Sequence, residues 1–279
     1  MLRVLATICL GLHLSAATLA GLDEVPTDLE KWIETDTPKQ GTRRWSAANR
    51  DSKHEWIVSL RDDRPQARIR NAKDDASTPL PFVLKMGSAK EGLAGRRLSI
   101  QVSDGWIVSH NAGEFGGGIW WFSPDGKERH KIAKARAIGF IPTEAGLLAI
   151  EGLAHLGSSE GRILRLTQAP EGRWQSEDFI DLKHAPKVYA KAADGSLTIA
   201  TTDRLLRVVP ATKEVEVLLN EAFWGGLYPN SMVITPDGET YLGMRHGVAK
   251  VEKKGAARRV RWLLPNKEFD EGKTEKESK

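Results

Sequence analysis

Six histidines lie beyond the first twenty residues, at positions 54, 110, 130, 155, 184 and 246. None stands in the HxH or HExxH spacing that brings two imidazoles to one metal. No nucleophile elbow, no Ser/His/Asp context and no glycine-rich cofactor fingerprint is present. The run GEFGGG at 113–118 lacks the following helix and the lysine of a phosphate loop, so it reads as a flexible rim loop. Glu151 and Asp203 are carboxylates of the kind that cleave glycosides as a pair. That chemistry needs them within ~5–10 Å of each other, which spacing alone does not establish. The only cysteine, Cys9, lies in the N-terminal apolar segment, so the chain beyond it has neither thiol chemistry nor a disulfide framework.

These residues have to be held by short strands, because the apolar pattern has period two almost throughout. Residues 229–251, PNSMVITPDGETYLGMRHGVAKV, set the unit. Strands around Met232–Ile234, Thr240–Met244 and Val248–Val251 are separated by a Pro236-Asp237-Gly238 turn and by a turn at Gly247. In the first of these turns Gly238 supplies the positive φ that a tight hairpin requires. Such a sheet cannot bury its faces alone, so copies are expected. Trp56-Ile57-Val58-Ser59 and Trp106-Ile107-Val108-Ser109 are identical and lie 50 residues apart. Turn glycines at 105, 146, 195 and 238 are spaced by 41, 49 and 43 residues. This is the ~40–50-residue period of four-stranded blades.

The fold class expected is therefore all-β, a β-propeller of five four-stranded blades at roughly 41–86, 97–134, 136–182, 186–220 and 228–265. A sixth blade would need the segment before 41, or a strand exchanged between the termini. Blade one opens on a weak strand, Gly41 to Ala47, and closes on Phe82 to Lys85. The propeller thus spans 41–265. Residues 21–40 read as an N-terminal linker or cap with one helical turn near Trp32, and 266–279 as a disordered charged tail.

Residues 1–20 read as a signal peptide. Arg3 is followed by an apolar run, Val4 to Leu14, too short to span a bilayer, and Thr18-Leu19-Ala20 offers a small–x–small cleavage site. The expected location is periplasmic or secreted, and no other run is long enough for an integral membrane protein. The net charge is +4. Basic residues are interspersed with acidic ones except at Lys253, Lys254, Arg258, Arg259 and Arg261. In an exported protein that cluster reads as an edge strand guarded by cations, so no nucleic-acid partner is expected.

LTIATTDRLLRV and TYLGMRHGVAKV resemble the short repeats of bacterial sensor-type regulator propellers. PNSMVITPDG is similar to the segment leading into a blade of gluconolactonase and strictosidine-synthase-like propellers. The resemblance covers about 170 residues as a periodic pattern and implies the fold, because such folds host unrelated activities. In lactonase-like propellers an Asn in a PN-x motif binds a divalent cation in the channel. Here Asn230 matches, although Ser231 stands where glycine is usual. Glu151 is the best carboxylate to join it, with Asp203 behind, and the other reading has Asn230 capping its own loop.

Loops after the second and fourth strands of each blade share one face, the top face, and carry most of the informative polar residues. The binding residues expected there are His110, Asn111, Glu151, Trp224, Tyr228, Asn230, Arg245 and His246. His110 and His246 occupy comparable positions and could face each other across the channel mouth, either as an acid–base or metal pair or as hydrogen-bonding rim residues. The leading expectation is a non-enzymatic exported propeller binding a protein, peptide or glycan on its top face, with no cofactor; a periplasmic inhibitor or immunity-type protein is one form. The alternative is a metal-dependent hydrolase or lactonase, with a divalent cation held by Asn230 and Glu151. A third reading is the sensor portion of a signalling system.

Overall fold

The computed structural model describes residues 25–270 except 76, 77, 86, 145 and 256. The signal-peptide reading of 1–20 and the end of the charged tail lie outside the described residues. The first elements are a 3-10 turn at Leu29–Lys31, strand β1 (Ile33–Thr35) and helix α1 (Arg43–Arg50). A hairpin follows, β2 (Trp56–Arg61) and β3 (Arg64–Ile69), which turns through Asp62 and Asp63 at φ 51° and 61°. Two left-handed residues in a two-residue loop match the twist of the strands they join.

Four antiparallel sheets then succeed one another, each with its strands in chain order. The first holds β4 (Arg96–Val102), β5 (Gly105–Asn111), β6 (Gly117–Phe122) and β7 (Arg129–Ala133). The second holds β8 (Ala137–Thr143), β9 (Gly146–His155), β10 (Ser158–Gln168) and β11 (Trp174–Asp181). The third holds β12 (Pro186–Lys191), β13 (Leu197–Thr201), β14 (Leu205–Val209) and β15 (Glu214–Leu219). The last holds β16 (Ser231–Ile234), β17 (Thr240–Gly243), β18 (Val248–Lys254) and β19 (Ala257–Leu264). The first strands of successive sheets are neighbours in space, β4 with β8, β8 with β12, and β12 with β16, while β16 also meets β2. That is an arrangement of meandering sheets around an axis, as the repeat predicts.

The second strand of each sheet is the most buried, which explains its apolar character. All five residues of β13 and all four of β17 are buried. Apolar clusters fill the spaces between adjacent sheets. One joins Ile141, Leu148, Ile150 and Ile163 to Leu197, Ile199 and Val208. The four turn glycines at 105, 146, 195 and 238 all have positive φ and all join the first strand of a sheet to the second.

The N-terminal part departs from expectation. Gly41 to Ala47 is not a strand: Thr42 accepts a hydrogen bond from the Trp45 amide and caps α1. The sequence RRWSAANR has no β-branched residue and two alanines, a composition that favours helix over strand. Phe82 to Lys85 is not a strand either. Pro79 and Pro81 remove two backbone donors just before it, and Phe82 packs instead on Phe122, 5.7 Å between ring centroids. Of the four strands expected over 41–86, only the β2–β3 hairpin is present.

The described part of the segment read as a linker or cap, residues 25–40, packs on the sheets. β1 adds as a fifth strand beside β19, pairing Ile33 with Leu264 and Thr35 with Trp262. The 3-10 turn ahead of it buries Leu29 and delivers Trp32 against Trp56 at 4.7 Å. The start of the tail is ordered too. Residues Lys267–Asp270 form a single helical turn whose Phe269 ring lies 6.2 Å from Trp56. No helix of the described residues is long and apolar enough to cross a membrane.

Candidate functional site

The structure gathers two of the expected residues at one place. Asn111, at the end of β5, and Asn230, just ahead of β16, line one cavity of about 380 Å³. Its other walls come mainly from the inner strands: Arg96 and Leu98 of β4, Ala137 and Ile138 of β8, and Lys187 to Lys191 of β12. It therefore reaches from the head of the inner strands, on the top face, down β12 to Lys191 at its far end. Tyr189 crosses the backbone of Gly139, so closely that a Cβ there would fall 2.1 Å from the ring. Gly139 is what allows this aromatic ring to close one wall.

Both amides are oriented by their oxygens. Asn230 Oδ1 accepts from the Ser231 hydroxyl at 2.9 Å, and that hydroxyl oxygen accepts from the Val58 amide at 2.9 Å. Asn111 Oδ1 accepts from the Gly113 amide at 2.9 Å, while its Nδ2 donates over 3.5 Å to the Arg136 carbonyl. Nδ2 of Asn230 is buried and has no acceptor among the described residues. Ser231, which departs from the glycine of the lactonase-like pattern, is thus the residue that orients Asn230.

Glu151 lies elsewhere. It is buried on β9 and its carboxylate accepts from Arg162 Nε at 2.6 Å and from the Arg136 amide at 3.3 Å. It lines a larger cleft, about 840 Å³, on the flank of the second sheet, where Arg162, Asp178, Asp181 and Lys183 are already paired with one another or with Glu151. Size favours this cleft, but Glu151, its buried carboxylate, is already held by Arg162, and the smaller cavity is the one that brings expected residues from two sheets together, so we place the site there. Asn230 and Glu151 therefore share no cavity, and among the described residues no group of three or more His, Cys, Asp or Glu is placed to hold a metal ion.

His110 and His246 do not face each other. His110 is fully buried on β5, and neither ring nitrogen has a hydrogen-bond partner among the described residues. Burial, with the Arg97 charge opposite, pushes its pKa down to about 4. A histidine held neutral in the fold and free to protonate when unfolded withdraws stability as pH falls. The loss should begin near the ordinary histidine value of ~6.5 and level off below about 4. Urea unfolding at pH 7 and pH 4.5 is expected to show a drop of which about 2–3 kcal/mol disappears in His110→Gln. Parallel curves for the two proteins would refute this account.

His246 bonds Asp51 through Nδ1 at 2.8 Å and the Phe269 carbonyl through Nε2 at 2.7 Å. Asp51 also bonds His54 at 2.8 Å. Burial alone pushes the Asp51 carboxyl up, but hydrogen bonds from His246 and His54 outweigh it and hold the group well below the usual carboxylate range. Two further pairs repeat the device between loops of the top face: His155 with Glu114 at 2.6 Å and His184 with Asp203 at 2.9 Å. Arg245 bonds Glu55 at 2.9 Å and lies over the Tyr228 ring, 4.0 Å from its centroid. Trp224 is completely buried and donates its indole N–H to the Thr201 carbonyl at 2.9 Å. The polar residues that spacing places on the top face thus mostly tie neighbouring loops together, and of the eight expected binding residues Tyr228, 48% exposed, is the one that projects.

Sequence reasoning missed Arg96 and Lys187. Each is one basic residue in an alternating strand, and nothing in its local context marks it as facing a cavity.

No family profile and no curated protein matches the chain. Solved structures are similar at low identity. A nidogen/laminin complex aligns with 12% identity over 58% of this chain and 60% of the other, at a TM-score of 0.37. Virginiamycin B lyase from Staphylococcus aureus aligns with 9% identity over 84% of this chain and 60% of its own, at 0.36. A 6-phosphogluconolactonase-like protein from Bacteroides uniformis aligns with 12% identity over 57% and 53%, at 0.34. The chain spans little more than half the length of these structures. Likeness at this level assigns no activity.

Proposed function

We propose that the protein is an exported β-propeller of five blades, the first reduced to the β2–β3 hairpin, and that it acts as a non-catalytic binding module. Its ligand enters the cavity at the head of the inner strands, not the wider top face. The observation that carries this reading is the convergence of Asn111 and Asn230, from different sheets, on one cavity with their oxygens already bonded. Two amides fixed in this way can recognise a polar ligand with only small side-chain movements.

A cavity of about 380 Å³ suits a small molecule, a sugar unit or the end of a peptide, and is small for a folded partner. Its lining holds no aspartate, glutamate, histidine, cysteine or serine. That leaves Lys187 and Tyr189 without the carboxylate, imidazole or hydroxyl partner that a catalytic pair would use, which supports the binding reading. The apolar run at the start of the chain, and the confinement of cysteine to it, support a periplasmic or secreted location.

The protein should be purified from the export fraction of its host, denatured, and the released small molecules identified by mass spectrometry. The wild-type chain is expected to carry a stoichiometric ligand, and an Asn111→Ala/Asn230→Ala variant of unchanged melting temperature to carry none. Equal release from both proteins would move the site away from this cavity.

A further inference from the structure

We infer that the cavity at the head of the inner strands takes a small organic oxyanion, a carboxylate- or phosphate-bearing molecule gripped by Lys187 and Asn230; this rests on the reading of that cavity as the binding site.

The lining offers donors and positive charge and almost nothing to balance them. Arg96, Lys187 and Lys191 are its charged residues, and no carboxylate lines it. Asp75, 4.0 Å from Arg96, is already bonded to Arg70 at 2.5 Å. Lys187 is half-buried, yet among the described residues no carboxylate lies within ion-pair distance of it. Lys250 shows how this protein treats a partly buried lysine whose role is structural, since Glu239 and Glu252 hold it, each at 3.0 Å. Burial pushes the Lys187 ammonium down from its ordinary range. An unpaired cation in such a place is unfavourable until an anion arrives.

The amides carry the same sign. Their oxygens are each held by a donor, Asn111 Nδ2 has one hydrogen on the Arg136 carbonyl and a second to offer, and the buried Nδ2 of Asn230 lacks any acceptor among the described residues. A buried donor without a partner is costly and uncommon, and a small turn of the Asn230 side chain would bring it to a ligand oxygen. A bare inorganic ion would leave most of the cavity unfilled. Leu98, Ile138, Val188 and the Tyr189 ring supply apolar wall for a carbon frame.

Calorimetric titration and thermal shift should be run on the chain from residue 21 with citrate, glucuronate and glycerol 3-phosphate. Inorganic phosphate and neutral glucose serve as comparisons. At least one organic anion is expected to bind and raise the melting temperature, and to weaken as salt rises. Lys187→Met should bind it at least tenfold more weakly and melt, without ligand, at or above the wild-type temperature, because an unpaired buried charge has been removed. Lys187→Arg should retain most of the affinity, and Asn230→Ala should lose a comparable factor to Lys187→Met.

The carboxylate and phosphate arms identify which head group is taken. Binding of inorganic phosphate as tightly as any organic anion would overturn the organic part of the inference. Failure of every anion, or equal binding by Lys187→Met, would overturn all of it. If the natural ligand released from the purified protein proves neutral and its retention still depends on Asn230, the binding reading stands and the anionic one falls.

Discussion

A chain beginning at Gln40 is expected to be unfolded or aggregated at 37 °C, although it retains every residue of the four complete sheets. The deletion removes β1 from the edge of β19 and strips Leu29 and Trp32 from the cluster around Trp56, Tyr241 and Leu263. Losing a buried Trp and a buried Leu costs about 5–8 kcal/mol by the usual cost of large core deletions. Backbone bonds go as well: the Ala67 amide donates to the Thr27 carbonyl at 2.7 Å. Arg44 would lose the Thr35 hydroxyl and the Asp36 carbonyl, and Arg261 its partners Glu34 and Asp36. A domain of this size rests on ~5–15 kcal/mol in all. Circular dichroism and urea unfolding of the chain from 21 and the chain from 40 make the comparison. Equal midpoints would mean that the N-terminal strand is only an ornament on a self-sufficient ring.

Trp224→Ala is expected to destabilise by about 3–5 kcal/mol, the range for emptying a buried indole site. The ring is completely buried in a cluster with Phe223, Leu227, Met244 and Trp262, and its N–H reaches the Thr201 carbonyl, so both packing and a hydrogen bond are lost. Trp224→Phe keeps much of the packing and should cost about 1–2 kcal/mol, the penalty for leaving the carbonyl without its donor. Tyr228→Ala, four residues on, removes an exposed ring stacked under the Arg245 guanidinium, and should stay within about 1 kcal/mol. Where the Trp224 variants remain folded, ligand retention should be unchanged. Loss of retention without loss of stability would restore Trp224 to the binding surface.

The hairpins and their order were legible in the chain because their causes are local. Gly105, Gly146, Gly195 and Gly238 each turn the chain at positive φ, and period-two alternation assigns the flanking residues to strands; these act over a few residues and recur at a nearly constant interval. The same local logic misread Gly41 to Ala47, where a Thr42 cap and two alanines outweigh the repeat, and Phe82 to Lys85, where two prolines do.

Tertiary structure decided what no spacing records. β1 meets β19 from the opposite end of the chain, because an unpaired sheet edge is satisfied by whichever strand the fold brings to it. Asn111 and Asn230 meet at one cavity because the sheets converge there, while Glu151, at a comparable place on the second strand of its own sheet, is held to the flank by Arg162. Trp224 and His110 lie inside because the segments that carry them pack against neighbouring sheets. Residue types and turn positions are properties of short segments, so the sequence alone determines them. Which polar atoms are left without partners is a property of the whole packed set of sheets, and only that packing reveals Lys187 and Asn230.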